Sequence, residues 1–145
     1  MRALGVDLGE RRIGLAISDP SGTLARPLRT IERAAADAEA IHQLGRLIDE
    51  LARDEDSLAL IVVGHPRRLD GTPHEQTARV EALVAALRRR ITIPIVFQDE
   101  RLSSHEANDR LAVRHRDWRQ RKRRLDAAAA AVILQDYLDS ERPRE

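Results

Sequence analysis

Two short unbroken apolar runs, Leu58 to Val63 and Ile93 to Phe97, constrain the fold most. Each is too short for a typical helix and lacks the apolar–polar alternation of a half-exposed strand. That is the pattern of a strand covered on both faces, as in a parallel sheet. Each run follows a stretch with helical periodicity. In Ala34 to Arg53, residues Ile41, Leu44, Ile48 and Leu51 fall on one face. In His74 to Arg90, residues Val80, Leu83, Val84, Leu87 and Ile91 form one stripe. Parallel strands require such crossovers, and these should be right-handed. The chain is therefore expected to be α/β.

The N-terminal end adds strands of another kind. Ala3 to Leu8 and Ile13 to Ser18 are apolar runs separated by a short polar turn, the pattern of a β-hairpin. Asp19-Pro20-Ser21-Gly22 makes the next turn. Thr23 to Ile31 should be a third strand, antiparallel to the second, with Pro27 marking it as an edge. Gly64 to Pro73 is expected to be a loop. Ser103 and Glu106 match a capping box, which predicts a helix from there to about Leu111. Leu125 to Leu138 should be the last helix, followed by a charged tail. The order β-β-β-α-β-α-β-α-α gives a five-stranded mixed sheet flanked by helices.

At 145 residues the chain should form one domain with a substantial core. No apolar run approaches the ~20 residues that span a membrane, and no signal peptide is evident. The absence of cysteine rules out a disulfide scaffold and a thiolate zinc site. A cytoplasmic location is the simplest expectation.

Asp7 stands inside the first apolar run. A buried carboxylate is costly unless something compensates it. Gly9 follows it by two residues and Gly14 opens the second run, and glycine lets backbone, a metal ion or a phosphate approach closely. One reading is an aspartate holding a metal on a central strand; the other is a turn aspartate capping nearby amides. Two more carboxylates fall at element ends. Glu100 lies just past the last strand, and Asp126 lies in the expected first turn of the last helix. If the first and last strands run parallel, Asp7 and Glu100 share the carboxyl edge where such sheets bind ligands. Ala127 to Ala131 would let the last helix lie close to the sheet, although helix propensity also accounts for that run. Taken singly, Glu100 could be a loop residue near a cap and Asp126 a favourable charge at a helix start. Together the three would repel unless cations bind between them, and all-oxygen ligands suit Mg²⁺ or Mn²⁺. Such ions can activate water and stabilise a leaving oxygen on phosphorus.

Four blocks of this sequence resemble the YqgF/RuvX family. They are G-V-D-L-G-E-R-R-I-G-L-A-I-S-D (Gly5 to Asp19), V-V-G-H-P-R-R-L-D-G-T (Val62 to Thr72), D-E-R-L-S-S (Asp99 to Ser104) and K-R-R-L-D-A-A-A-A-A-V-I-L-Q-D-Y-L (Lys122 to Leu138). They stand in family order across nearly the whole chain. The resemblance implies an RNase H-like fold. It also implies a nuclease that matures the 5′ end of pre-16S rRNA, a family described earlier as Holliday junction resolvases. It places Asp7, Glu100 and Asp126 at the catalytic, metal-binding positions, with Asp99 as a possible further ligand. Two departures stand out: His65 where the family usually has leucine, and Ser103-Ser104 where it has threonines. The serines keep the hydroxyls. His65 could touch phosphate or metal, or be a solvated loop histidine.

Arg114, Arg116, Arg119, Arg121, Lys122, Arg123 and Arg124 oppose only Asp117, a local net of +6 in a chain of net +1. That concentration suits a phosphate backbone. Arginine is the better bidentate phosphate ligand, although GC-rich codon usage also explains a chain whose only lysine is Lys122. Trp118, the only tryptophan, could stack on an unpaired base. The stretch reads as a flexible loop that orders on nucleic acid; the bland alternative is a solvated loop with its Trp packed back.

The favoured function is a metal-dependent endonuclease on RNA, acting as a monomer or homodimer. Its rivals are a resolvase of branched DNA, a non-catalytic nucleic-acid-binding module, and an actin-like or sugar-kinase ATPase.

Overall fold

The computed structural model describes residues 1–53, 58–66, 75–99 and 118–141, with residues 118–125 described by their backbone alone. Five strands form one sheet: β1 (Arg2–Leu8), β2 (Arg12–Ser18), β3 (Ala25–Glu32), β4 (Leu58–His65) and β5 (Ile95–Asp99). The helices are α1 (Asp37–Ala52), α2 (Glu75–Arg90) and α3 (Trp118–Ser140). The strand order is β3-β2-β1-β4-β5, so β1 is central and β3 is an edge. β1 pairs antiparallel with β2 and parallel with β4, and β4 pairs parallel with β5. The carboxyl ends of β1, β4 and β5 therefore open on one edge.

The period-2 alternation divides the core into two layers. Leu4, Val6 and Leu8 of β1 pair with Ile17, Leu15 and Ile13 of β2. Most of these join Ile61 and Val63 in a cluster with Leu44 and Ile48 of α1 and Val80, Val84 and Leu87 of α2. The opposite face is built from smaller residues. Ala3, Ala16 and Val62 pack against Ala130, Ile133, Leu134 and Leu138 of α3.

Pro27 sits in β3 as its edge position requires, beside a register shift between Leu15 and Ala16 of β2. The β2–β3 turn is capped by Asp19, whose carboxylate accepts the amides of Thr23 at 2.8 Å and Leu24 at 3.0 Å. The Ser21 hydroxyl and those amides hold the Asp19 carboxyl down at about 2. Gly22 takes the left-handed conformation the turn needs, with φ 71°.

Three expectations are corrected. β4 runs through Gly64 to His65, the first two residues of the expected loop, and residues 67–73 of that loop lie outside the described residues. The glycine is tolerated because His65 is still paired, opposite Asp99 of β5. The last helix begins at Trp118 rather than Leu125, so the basic residues Arg119, Arg121, Lys122, Arg123 and Arg124 are helical, not in a loop. Arginine, glutamine and lysine are good helix formers, and nothing between Trp118 and Asp126 breaks the helix. Asp126 consequently lies about two turns inside α3, not in its first turn. Arg114, Arg116, Glu100 and the helix expected at Ser103 to Leu111 lie outside the described residues.

Candidate active site

Asp7 is the penultimate residue of β1 and is directly opposite Gly14 of β2. By alternation it shares the α3 face with Ala3 and Gly5. That face is stripped of side-chain bulk where α3 crosses it. A Cβ on Gly5 would stand 2.8 Å from the Ala130 carbonyl oxygen, and one on Gly14 would stand 2.0 Å from that of Asp126. The close approach over Gly14 brings the Asp126 backbone down beside Asp7. The helix-dipole explanation for Asp126 does not hold two turns into the helix, because that field acts within the first turn.

The two carboxylates are unequally compensated. Asp126 Oδ2 accepts a bond from Arg12 Nε at 3.1 Å. Asp7 has no hydrogen-bond or ion-pair partner among the described residues. Burial, and then the negative charge of Asp126, push its carboxyl up to about 7. A partly buried, unpartnered carboxylate facing a second carboxylate is a donor set that fits a hard divalent cation. Asp7 and Asp126 supply two oxygen donors of such a site. Among the described residues there is no cluster of three or more acidic, His or Cys side chains.

A cleft of about 540 Å³ opens beside the pair, lined by Gly9, Glu10, Arg11, Arg12 and Asp126. Its turn is anchored from three sides. The Gly9 amide donates to the Arg12 carbonyl at 3.0 Å, and the Arg33 amide donates to the Arg11 carbonyl at 2.9 Å. The guanidinium of Arg33 donates from Nη1 to the Gly9 carbonyl at 3.1 Å and from Nη2 to Asp37. Gln76 and Arg79 of α2 hold Glu10.

The sequence matches the family described as "RuvX: Holliday junction resolvase" over residues 1–140. A protein of Thermoanaerobacter pseudethanolicus named "Putative pre-16S rRNA nuclease" is 39% identical, covering 98% of this chain and 99% of its own. One of the same name from Roseiflexus sp. is 43% identical, covering 97% and 96%. The chain belongs to the RuvX family. Its fold is also that of Thermus thermophilus RuvC, solved in complex with a Holliday junction substrate. That match has a TM-score of 0.58 at 13% identity and covers 97% of this chain and 95% of RuvC. The fold is RNase H-like, as the RuvX motifs imply.

Within the RuvX frame the other candidate residues separate by face. His65 and Asp99 are a register pair on the face of Val63 and Phe97, opposite to Asp7. His65 bonds Glu81 of α2 at 2.9 Å and packs on Phe97 with ring centroids 4.5 Å apart. It is neither a solvated loop histidine nor directed at the carboxylate pair. Asp99 is likewise separated from Asp7 and Asp126 by the sheet. Glu100 follows β5 at the same edge and is outside the described residues. The basic residues from Arg119 to Arg124 extend the helix that carries Asp126, within roughly 12 Å of axial rise of it. Arg12, unmarked in the sequence reading, is the addition the structure makes. Its sequence signals are its place in the Gly5 to Asp19 block and beside the hairpin turn that follows Gly9.

Proposed function

We propose that this RuvX-family chain is a divalent-metal-dependent endonuclease that hydrolyses phosphodiester bonds in RNA, with pre-16S rRNA as its substrate. The observation that carries the reading is the Asp7–Asp126 pair at the carboxyl edge of the central strand, with Asp7 unpartnered among the described residues and its carboxyl pushed up to about 7. The relatives' shared name points to RNA. Asp7 and Asp126 would hold Mg²⁺ or Mn²⁺, with Glu100 as third ligand by family resemblance, and the bound ion would activate water and stabilise the leaving oxygen.

The chain's own residues do the rest. Arg12 neutralises Asp126 and fixes its carboxylate toward the cleft. By the sequence reading, Arg119, Arg121, Lys122, Arg123 and Arg124 would take phosphates, and their turns belong to the same helix that carries Asp126. Hydrolysis adds water oxygen to phosphorus and releases a 3′-hydroxyl, leaving a 5′-phosphate on the other product. The chain would work in the cytoplasm; among the described residues no helix is long and apolar enough to cross a membrane.

A second reading, resolution of branched DNA, follows from the family's description and shares the chemistry. One assay separates the two: purified protein with Mn²⁺, given precursor rRNA and a four-way DNA junction side by side. Cleavage of the precursor with 5′-phosphate ends supports the proposal. Symmetric cutting of the junction with the precursor intact supports the alternative, and no cutting of either overturns both.

A further inference from the structure

We propose that Arg12 is a phosphate-binding residue of this cleft, holding Asp126 with one N–H while its remaining donors take the nucleic-acid backbone. The inference rests on the nucleic-acid reading of the cleft and assigns a contact inside it, separate from the basic turns of α3.

A guanidinium carries five N–H donors in a rigid planar fork. Arg12 uses Nε on Asp126 Oδ2, and among the described residues it has no other partner. Its side chain is 19% exposed and lines the cleft with Gly9, Glu10 and Arg11. The two terminal nitrogens are therefore unspent at the cleft wall. Partly desolvated arginine with an open edge matches a phosphate oxygen pair in geometry and charge.

The backbone beneath Arg12 is fixed. The residue pairs with Glu32 in the β2–β3 ladder. Gly9 bonds its carbonyl, and Arg33 ties down the turn at Gly9 and Arg11. The Asp126 bond fixes the head of the side chain as well. Little rotamer freedom is left to lose when phosphate binds, which is the condition for a strong contact from a single residue. One guanidinium thus spans a candidate metal-binding carboxylate and the cleft, and would register the backbone against the Asp7–Asp126 edge.

The test is metal-free binding of the full chain, in EDTA, to labelled single-stranded RNA and to a four-way DNA junction across a salt series. Arg12→Gln should weaken binding several-fold. It should also reduce the slope of log K against log salt by about 0.7 on single strands and about 0.9 on duplex arms. Arg12→Gln combined with Asp126→Asn leaves the net charge unchanged and should show the same loss of slope. Arg12→Lys keeps a point charge and should keep the slope. Arg89→Gln, exposed at the C-terminal end of α2 and so at the opposite edge of the sheet, should leave the slope as in the wild type.

An unchanged slope in Arg12→Gln overturns the proposal, whatever happens to its melting temperature. So does a slope lost in the single variant and restored in the double one, because the effect would then come from the charge of Asp126 and not from a lost phosphate contact. Loss of slope in Arg12→Lys equal to that in Arg12→Gln also contradicts it. A wild type that binds with this Arg12 dependence and never cleaves with Mn²⁺ would sink the nuclease reading and leave the phosphate contact standing.

Discussion

A Cβ on Gly14 would stand 2.0 Å from the carbonyl oxygen of Asp126 and 2.4 Å from its carbonyl carbon. Both colliding groups are backbone, so no rotamer change relieves the clash. Gly14→Ala must lift α3 from the sheet at the point where Asp126 meets Asp7. Overpacking of this kind costs about 1–3 kcal/mol or more, which lowers Tm by roughly 2–4 °C per kcal/mol at this chain length. Thermal melting checks it. A variant that melts like the wild type would mean that α3 does not lie on Gly14.

The Asp7 carboxyl sets a pH dependence. Its ordinary value is 3.8 and its native value is about 7. Between those values the native state keeps a proton that the unfolded chain has lost, so this group's contribution falls as pH rises through that window and is level above it. Asp7→Asn removes the group. Without metal, the variant should gain Tm over the wild type at pH 8 and lose most of that gain at pH 4. A difference that does not change with pH would contradict the burial and repulsion assigned to Asp7.

Arg33 is the clamp on the cleft turn. Its side chain is 5% exposed, and it joins Gly9 to Asp37 at the start of α1. Among the described residues its buried Nε has no hydrogen-bond partner, so the site keeps the other two side-chain bonds at the cost of one unmet donor. Arg33→Met would remove the charged donor from the half-buried Gly9 carbonyl, and losing a hydrogen bond to a charged group costs about 1.5–3 kcal/mol. Denaturant unfolding should show that loss, and proteolysis should report a loosened turn at Gly9 to Arg12.

His65 supplies the contrast. It faces Glu81 and Phe97 across the sheet from Asp7. His65→Leu should leave the Mn²⁺-induced rise in Tm and the cleavage rate as in the wild type. A reduced metal response would place His65 in the site after all.

The sheet was legible because its signals are local. Unbroken apolar runs mark β1, β2 and the buried β4 and β5, and Pro27 marks the edge. The start of α3 was not, because Trp118 to Arg124 carries no apolar period and its charge density resembles a solvated loop. His65 was assigned to a loop because Gly64 and Pro66 flank it, whereas pairing with β5 extends β4 through it. The convergence of Asp7 and Asp126 was legible from the glycines and the alanine run. The Arg12–Asp126 bond was not: its partners are 114 positions apart, and no local pattern encodes it.

On the proposed function, Asp7 and Asp126 hold the metal with which the chain cleaves RNA. The most direct measurement is Asp7→Asn, followed by cleavage of precursor rRNA and by melting with and without Mn²⁺. The wild type should cleave and gain stability with metal, about 2.7 kcal/mol at a hundredfold excess over the dissociation constant. Asp7→Asn should bind RNA, fail to cleave it, and melt at nearly the same temperature with metal as without. Cleavage at the wild-type rate, or lost stability with the wild-type response to Mn²⁺, would contradict the account and make Asp7 a structural residue of the hairpin.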